Sequence, residues 1–158
     1  MNKDAKLLLA FVPLLPCMLV FLLGCNKASN RHIWNLPRNE RIEYYEASGD
    51  SGFTANIPQY VKWVSAKRGT NDTLVGTGSR ERVITLHLSQ SQTVAWITGQ
   101  DAGQTKPSYL AVLDLANFTV VGGECMWQSE SHSSASEIRL RHEVEQSVAA
   151  ATVVEEQK

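Results

Sequence analysis

One unbroken apolar run, "LLLAFVPLLPCMLVFLL" from Leu7 to Leu23, constrains everything else about this chain. It stands at the lower edge of the roughly 17 to 25 residues that cross a bilayer as a helix, and Pro13 and Pro16 interrupt it. Lys3 and Lys6, set against Asp4, give it a basic leading flank, the layout of an export signal. No basic stop-transfer cluster follows, the next positive charge being Lys27. Residues 58 to 158 hold no second run of spanning length, so what folds as a domain lies beyond the run.

The run ends on Leu22-Leu23-Gly24-Cys25 and turns polar at Asn26. This stretch resembles the lipobox of bacterial lipoproteins, in which aliphatic and small residues precede an obligatory Cys. Leu23 is bulkier than the usual choice before the Gly. The resemblance implies that Cys25 carries diacylglycerol on its sulfur, that cleavage follows Gly24, and that the freed α-amine of Cys25 is acylated too. Each buried methylene is worth about 0.8 kcal/mol, so two or three chains on one residue hold a protein where a single chain does not. An ordinary secretory signal needs a small-x-small cleavage site, which "LLGC" lacks. In this class an Asp after the Cys commonly retains the protein on the inner membrane. Asn26 therefore implies the periplasmic face of the outer membrane, with the inner membrane as the alternative.

Processing at Gly24 removes Cys17 and leaves Cys25 and Cys125. With Cys25 lipidated, no internal disulfide forms, and Cys125, in "VVGGECMWQ", is expected to be buried as a small hydrophobe. The whole chain is formally −1; taking away the +1 of residues 1–24 leaves −2 for the rest. That balance gives no footprint for nucleic acid.

The expected organisation is a signal peptide at 1–24, a tether at 25–39, one β-rich domain at 40–147 and a C-terminal tail at 148–158. Within the tether, Ile33, Trp34 and Leu36 look set to dock on the domain. "RIEYYEA" predicts a strand. Ile57, Tyr60, Val61 and Val64 recur at i, i+3, i+4 and i+7, which predicts a helix over 57–68, with Asn56 as cap, Pro58 in its first turn and Gly69 as its stop. From "RERVITLHLSQ" the period is two, and with "QTVAWITGQ" it predicts a hairpin. "SYLAVLDL" and "FTVVGGECMWQ" predict two further strands around Ala116-Asn117, with a bulge at Gly122-Gly123. Strict alternation in "EIRLRHEVEQ" favours a strand over 137–146, while Glu137–Arg141 and Arg139–Glu143 support a helix instead. The fold class is α+β or mainly β: a small antiparallel sheet or sandwich of five or six strands with one helix near 57–68.

Chemistry is sparse. "GDSG" at Gly49 to Gly52 resembles the nucleophile loop of chymotrypsin-like serine proteases. Those enzymes need a His and an Asp in a barrel built before the Ser, but only 26 residues separate the expected cleavage site from Ser51. His32 lies in the expected tether, Phe53 replaces the following Gly, and a turn accounts for these residues. His132, Glu137 and His142 do not share a helical or strand face, and no HExxH, Cys pair or EF-hand loop occurs. "GTGSRER" lacks the Lys-Ser/Thr ending of a P-loop. Trp34, near the tether, and Trp63, off the main helical stripe, are candidate partner contacts, with burial in the core as the competing reading. The expectation is a non-enzymatic lipoprotein held to the membrane through Cys25, without cofactor, metal or nucleic acid. It would serve as a binding or accessory subunit of an envelope assembly for secretion, conjugation or surface assembly. The alternative is an inhibitor or exclusion lipoprotein acting on a foreign enzyme, phage or plasmid.

Overall fold

The computed structural model describes residues 30–47, 57–78, 82–101, 103–123 and 133–157. Among the described residues, nine antiparallel strands form two sheets. The first is a meander of β1 (Asn30–Leu36), β2 (Glu40–Glu46), β3 (Ile57–Ser65) and β4 (Gly69–Gly78), adjacent in chain order. The second contains β5 (Arg82–Leu88), β6 (Val94–Asp101), β7 (Ser108–Asp114), β8 (Thr119–Gly122) and β9 (Thr152–Val154), in the order β8-β7-β6-β5-β9. Among the described residues there is one α-helix, α1 (Ala135–Ser147), followed by a 3-10 turn at Val148–Ala150. Among the described residues no helix is long and apolar enough to cross a membrane.

The two sheets face each other over one core. Trp34, Leu36, Ile42, Tyr44, Val61 and Trp63 come from the first sheet, and Leu86, Leu88, Ala95, Ile97, Ala111 and Leu113 from the second. Both open sides are bridged. Trp34 pairs with Glu156, and the Gln157 amide donates to the Ile33 carbonyl at 2.8 Å, which joins the last strand to the first. On the other side β4 meets β8 so closely that a Cβ on Gly122 would stand 2.4 Å from the Val75 carbonyl oxygen, and only glycine fits. The result is a flattened barrel.

The outer face of the second sheet is also covered. Leu140 and Val144 of α1 pack on Val94, Trp96 and Val112. That explains why "VAWI" and "LAVL" read as continuous apolar runs, since strands buried on both faces do not alternate. Each helix anchor contributes about 1.5–3 kcal/mol. The helix begins on Ser134, whose Oγ accepts from the Glu137 amide while Glu137 accepts from the Ser134 amide at 2.6 Å, a reciprocal cap. Arg139 is bound to the buried Asp114, and Thr93 donates to Glu143, so polar clamps fix the helix over the sheet.

Among the described residues the antiparallel, one-helix expectation holds, but the helix lies elsewhere. The expected helix over 57–68 is strand β3. Its inward row is Ile57, Gln59, Val61, Trp63 and Ser65, and the two polar members disguise the alternation. The rival reading of 137–146 is the one realised, because Leu140 and Val144 at i and i+4 are the residues that reach the sheet. Domain edges shift as well. Asn30–Leu36, expected within the tether, is β1, and the expected tail supplies β9. The "TNDTLVGTGS" stretch lies largely within β4. Trp34 and Trp63 are 1% and 0% exposed, so the core reading replaces the partner-contact reading for both.

Candidate functional site at the turn end

Four tight turns gather at one end of the barrel: β1–β2, β3–β4, β5–β6 and β7–β8. Such turns need left-handed backbone. Arg38 (φ 71°), Asn39 (φ 59°), Gln92 (φ 55°) and Phe118 (φ 57°) supply it here, with Gly69 (φ 86°). Asn tolerates this conformation, whereas Arg and Phe each pay about 1–2 kcal/mol for it. The cost is met by a shared network beneath the turns.

Glu40, the first residue of β2, points inward and is nearly buried. Its Oε1 accepts from Arg68 Nη2 at 2.8 Å and from Ser65 Oγ at 3.2 Å, and its Oε2 accepts from Trp63 Nε1 at 3.2 Å. Arg68 also donates through Nη1 to the carbonyls of Leu115 at 2.9 Å and Ala116 at 3.3 Å. Its guanidinium lies 5.0 Å from the Trp63 ring centre and 4.7 Å from that of Phe118. One cation therefore ties three of the four turns together, with cation–π attraction added to charge-assisted hydrogen bonds. Trp63 is the floor of this network, so its position matters at the turn end although its ring is not presented to solvent.

Above the floor, Arg38, Glu40, Ser65, Lys67 and Arg68 line an open cleft of about 260 Å³. A crevice lined by Leu36, Pro37, Leu88, Gln92 and Leu115 adjoins it. The charge of Glu40 is matched by Arg68. Arg38 and Lys67 have no ionic partner among the described residues. The rim thus carries two uncompensated positive charges on a chain that is otherwise slightly acidic. Its chemistry is attraction and hydrogen-bond donation toward carboxylate or phosphate.

The other sequence candidates are dispersed. Glu137 is committed to capping α1; the Ser134 amide and hydroxyl hold its carboxyl below the usual range. His142 faces Glu145 on the helix at 3.8 Å, and His132 lies outside the described residues. Among the described residues no group of three or more His, Cys, Asp or Glu is placed to hold a metal ion. His87 stacks on Trp96 with ring centres 5.4 Å apart and shares a 2.9 Å hydrogen bond with Thr98, and burial pushes its pKa down. Cys25, Cys125 and the "GDSG" segment lie outside the described residues. Sequence reasoning missed Arg38, Glu40 and Arg68 as a set. The usable signal was "AKRG" between two strand-length segments, which is a hairpin turn as readily as a helix end. No family model, curated protein or solved structure matches the chain.

Proposed function

We propose that the chain is a lipid-anchored binding module of the bacterial envelope, held by acyl groups on Cys25 and recognising an envelope protein through its turn end. The observation that carries this reading is the position of β1. It begins at Asn30, at the barrel end opposite the four turns. Five Cα steps from Cys25 reach at most about 18 Å. An anchor there keeps the Asn30 end against the membrane. The seven residues of β1 rise about 3.3 Å each, so the turn end stands roughly 20 Å farther out. The uncompensated Arg38 and Lys67 then face away from the bilayer, where an acidic surface on a partner meets them. The outer membrane, on its periplasmic side, is the proposed site, with Asn26 after the Cys in support.

Two measurements test it. Cys25→Ser expressed in a bacterial host is expected to remain a full-length precursor without incorporated palmitate, and normal palmitate labelling of that variant overturns the anchor. A photoreactive residue at position 67 is expected to crosslink a partner in intact cells, and one at Lys106, in the β6–β7 loop at the membrane end, is not. Equal crosslinking from both positions overturns the assignment of the turn end.

A further inference from the structure

The cleft and the crevice at the turn end share a wall, since Arg38, Glu40 and Arg68 line both. On either side of that wall the two differ in character. The cleft side carries the exposed Lys67. The crevice side is apolar, with Leu36 and Leu88 nearly buried and Leu115 half-buried. The crevice holds about 20 Å³, room for roughly one methyl-sized group. One ligand seated on the shared wall therefore meets positive charge on one side and an apolar nook on the other.

Arg38 stands out among the charged members. Its backbone is left-handed (φ 71°), a conformation that Gly or Asn adopts more readily. It is exposed and has no ionic partner among the described residues. Turn geometry gives no reason for arginine there, and strain of this kind gathers at binding sites. Arg68, by contrast, is committed to Glu40 and to the carbonyls of Leu115 and Ala116. Its charge offsets that of Glu40 at the floor, so the unbalanced charges are those of Arg38 and Lys67.

Those two cations sit on the β1–β2 and β3–β4 turns. The order β1-β2-β3-β4 sets the turns two strand spacings apart, roughly 10 Å. Continuing round the rim past Arg38, the next turn is β5–β6, which brings Leu88 and Gln92 to the nook. In an extended segment, residues i, i+2 and i+4 project on one side at intervals of about 7 Å. Acidic side chains at i and i+2 reach both cations, and an aliphatic one at i+4 reaches the nook. A compact anion centred on either cation leaves the other unmatched.

We infer, building on the turn end as the recognition face, that this site binds an extended acidic segment of a partner protein, with carboxylates at i and i+2 and an aliphatic residue at i+4. The carboxylates accept hydrogen bonds from Lys67 and Arg38. The aliphatic side chain places one methyl between Leu36 and Leu88.

The test is two-dimensional NMR on the full chain in detergent, titrated with the blocked peptide acetyl-Glu-Ala-Glu-Ala-Leu-amide. A saturable shift of the Arg38, Lys67 and Gln92 backbone amides is expected. Replacing both Glu of the peptide by Gln is expected to weaken binding about fivefold, through the loss of two exposed ion pairs. Replacing its Leu by Gly is expected to weaken binding about fourfold, the factor for one buried methyl. Inorganic phosphate is expected to bind more weakly than the peptide. Arg38→Asn combined with Lys67→Gln is expected to abolish the shifts with the melting temperature held, because both side chains are exposed and Asn suits the left-handed turn. The inference is overturned by the absence of a saturable shift, by binding that survives the double variant, by equal binding of either altered peptide, or by phosphate binding as tightly as the peptide. Peptide binding without a partner crosslink from position 67 in cells overturns the proposed role and leaves this inference standing. Crosslinking without peptide binding does the reverse.

Discussion

Glu40→Gln isolates what the turn-end network contributes. The substitution keeps shape and volume but replaces one acceptor oxygen with a donor. Three donors converge on Glu40: Arg68 at 2.8 Å, Ser65 at 3.2 Å and the Trp63 indole at 3.2 Å. The amide oxygen can serve Arg68 and Ser65 together, which leaves the new NH2 against the Trp63 N–H. A buried indole donor is then unsatisfied, at about 1–3 kcal/mol. The charge opposite Arg68 is lost as well. That side chain is 31% exposed and retains two carbonyl acceptors, so this loss adds little. The expected total is about 2 kcal/mol. With a urea slope near 2 kcal/mol/M, the unfolding midpoint falls by roughly 1 M. The assay is equilibrium urea unfolding followed by tryptophan fluorescence, since Trp63 sits on the affected carboxylate. Arg68→Met made alone and together with Glu40→Gln closes a double-mutant cycle, with an expected coupling of about 1–2 kcal/mol. A midpoint shift below about 0.3 M for Glu40→Gln, or additive effects in the cycle, would refute the view that one carboxylate holds these turns.

Gly122→Ala places a methyl 2.4 Å from the Val75 carbonyl oxygen, and neither backbone yields cheaply; a loss of about 1–3 kcal/mol in the same unfolding assay is expected. Ser134→Ala removes the cap of α1 at a cost of about 1 kcal/mol, checked by faster hydrogen exchange at the first amides of the helix. For Asp114, burial alone would push the pKa up, but hydrogen bonds from the Asn117 side chain and backbone, with Arg139 beside them, outweigh it and hold the carboxyl below its usual range. A depressed folded pKa gives stability that is present above the unfolded value of about 3.9 and is lost as pH falls through the folded value. Acid titration of stability is expected to be shallower in Asp114→Asn than in the natural chain, and identical slopes would count against the assignment.

The central strands were legible in the sequence because burial on both faces writes long apolar runs into β6 and β7. The β5–β6 hairpin was legible because β5 alternates with a period of two beside the apolar run of β6. β3 was not, because its inward row contains Gln59 and Ser65, and its outward row contains Tyr60 and Val64. That mixture imitates a helical stripe. Gln59 is buried in that row and Ser65 belongs to the Glu40 network, so the pattern failed where the interior departs from a plain apolar filling. β4 was hidden because Val75 is its one buried apolar residue. In α1 the alternation of Ile138, Leu140, His142 and Val144 misled, whereas Ser134 followed by Glu137 three residues later marked a helix start. The turn-end cleft was not visible in advance, since it is assembled from turns distant in sequence.

The hydrogen bond from Gln157 to Ile33, with the pairing of Trp34 and Glu156, has a temporal meaning. The first strand meets Glu156 and Gln157 only across the longest sequence separation in the described fold, so this closure is expected to form after the local hairpins.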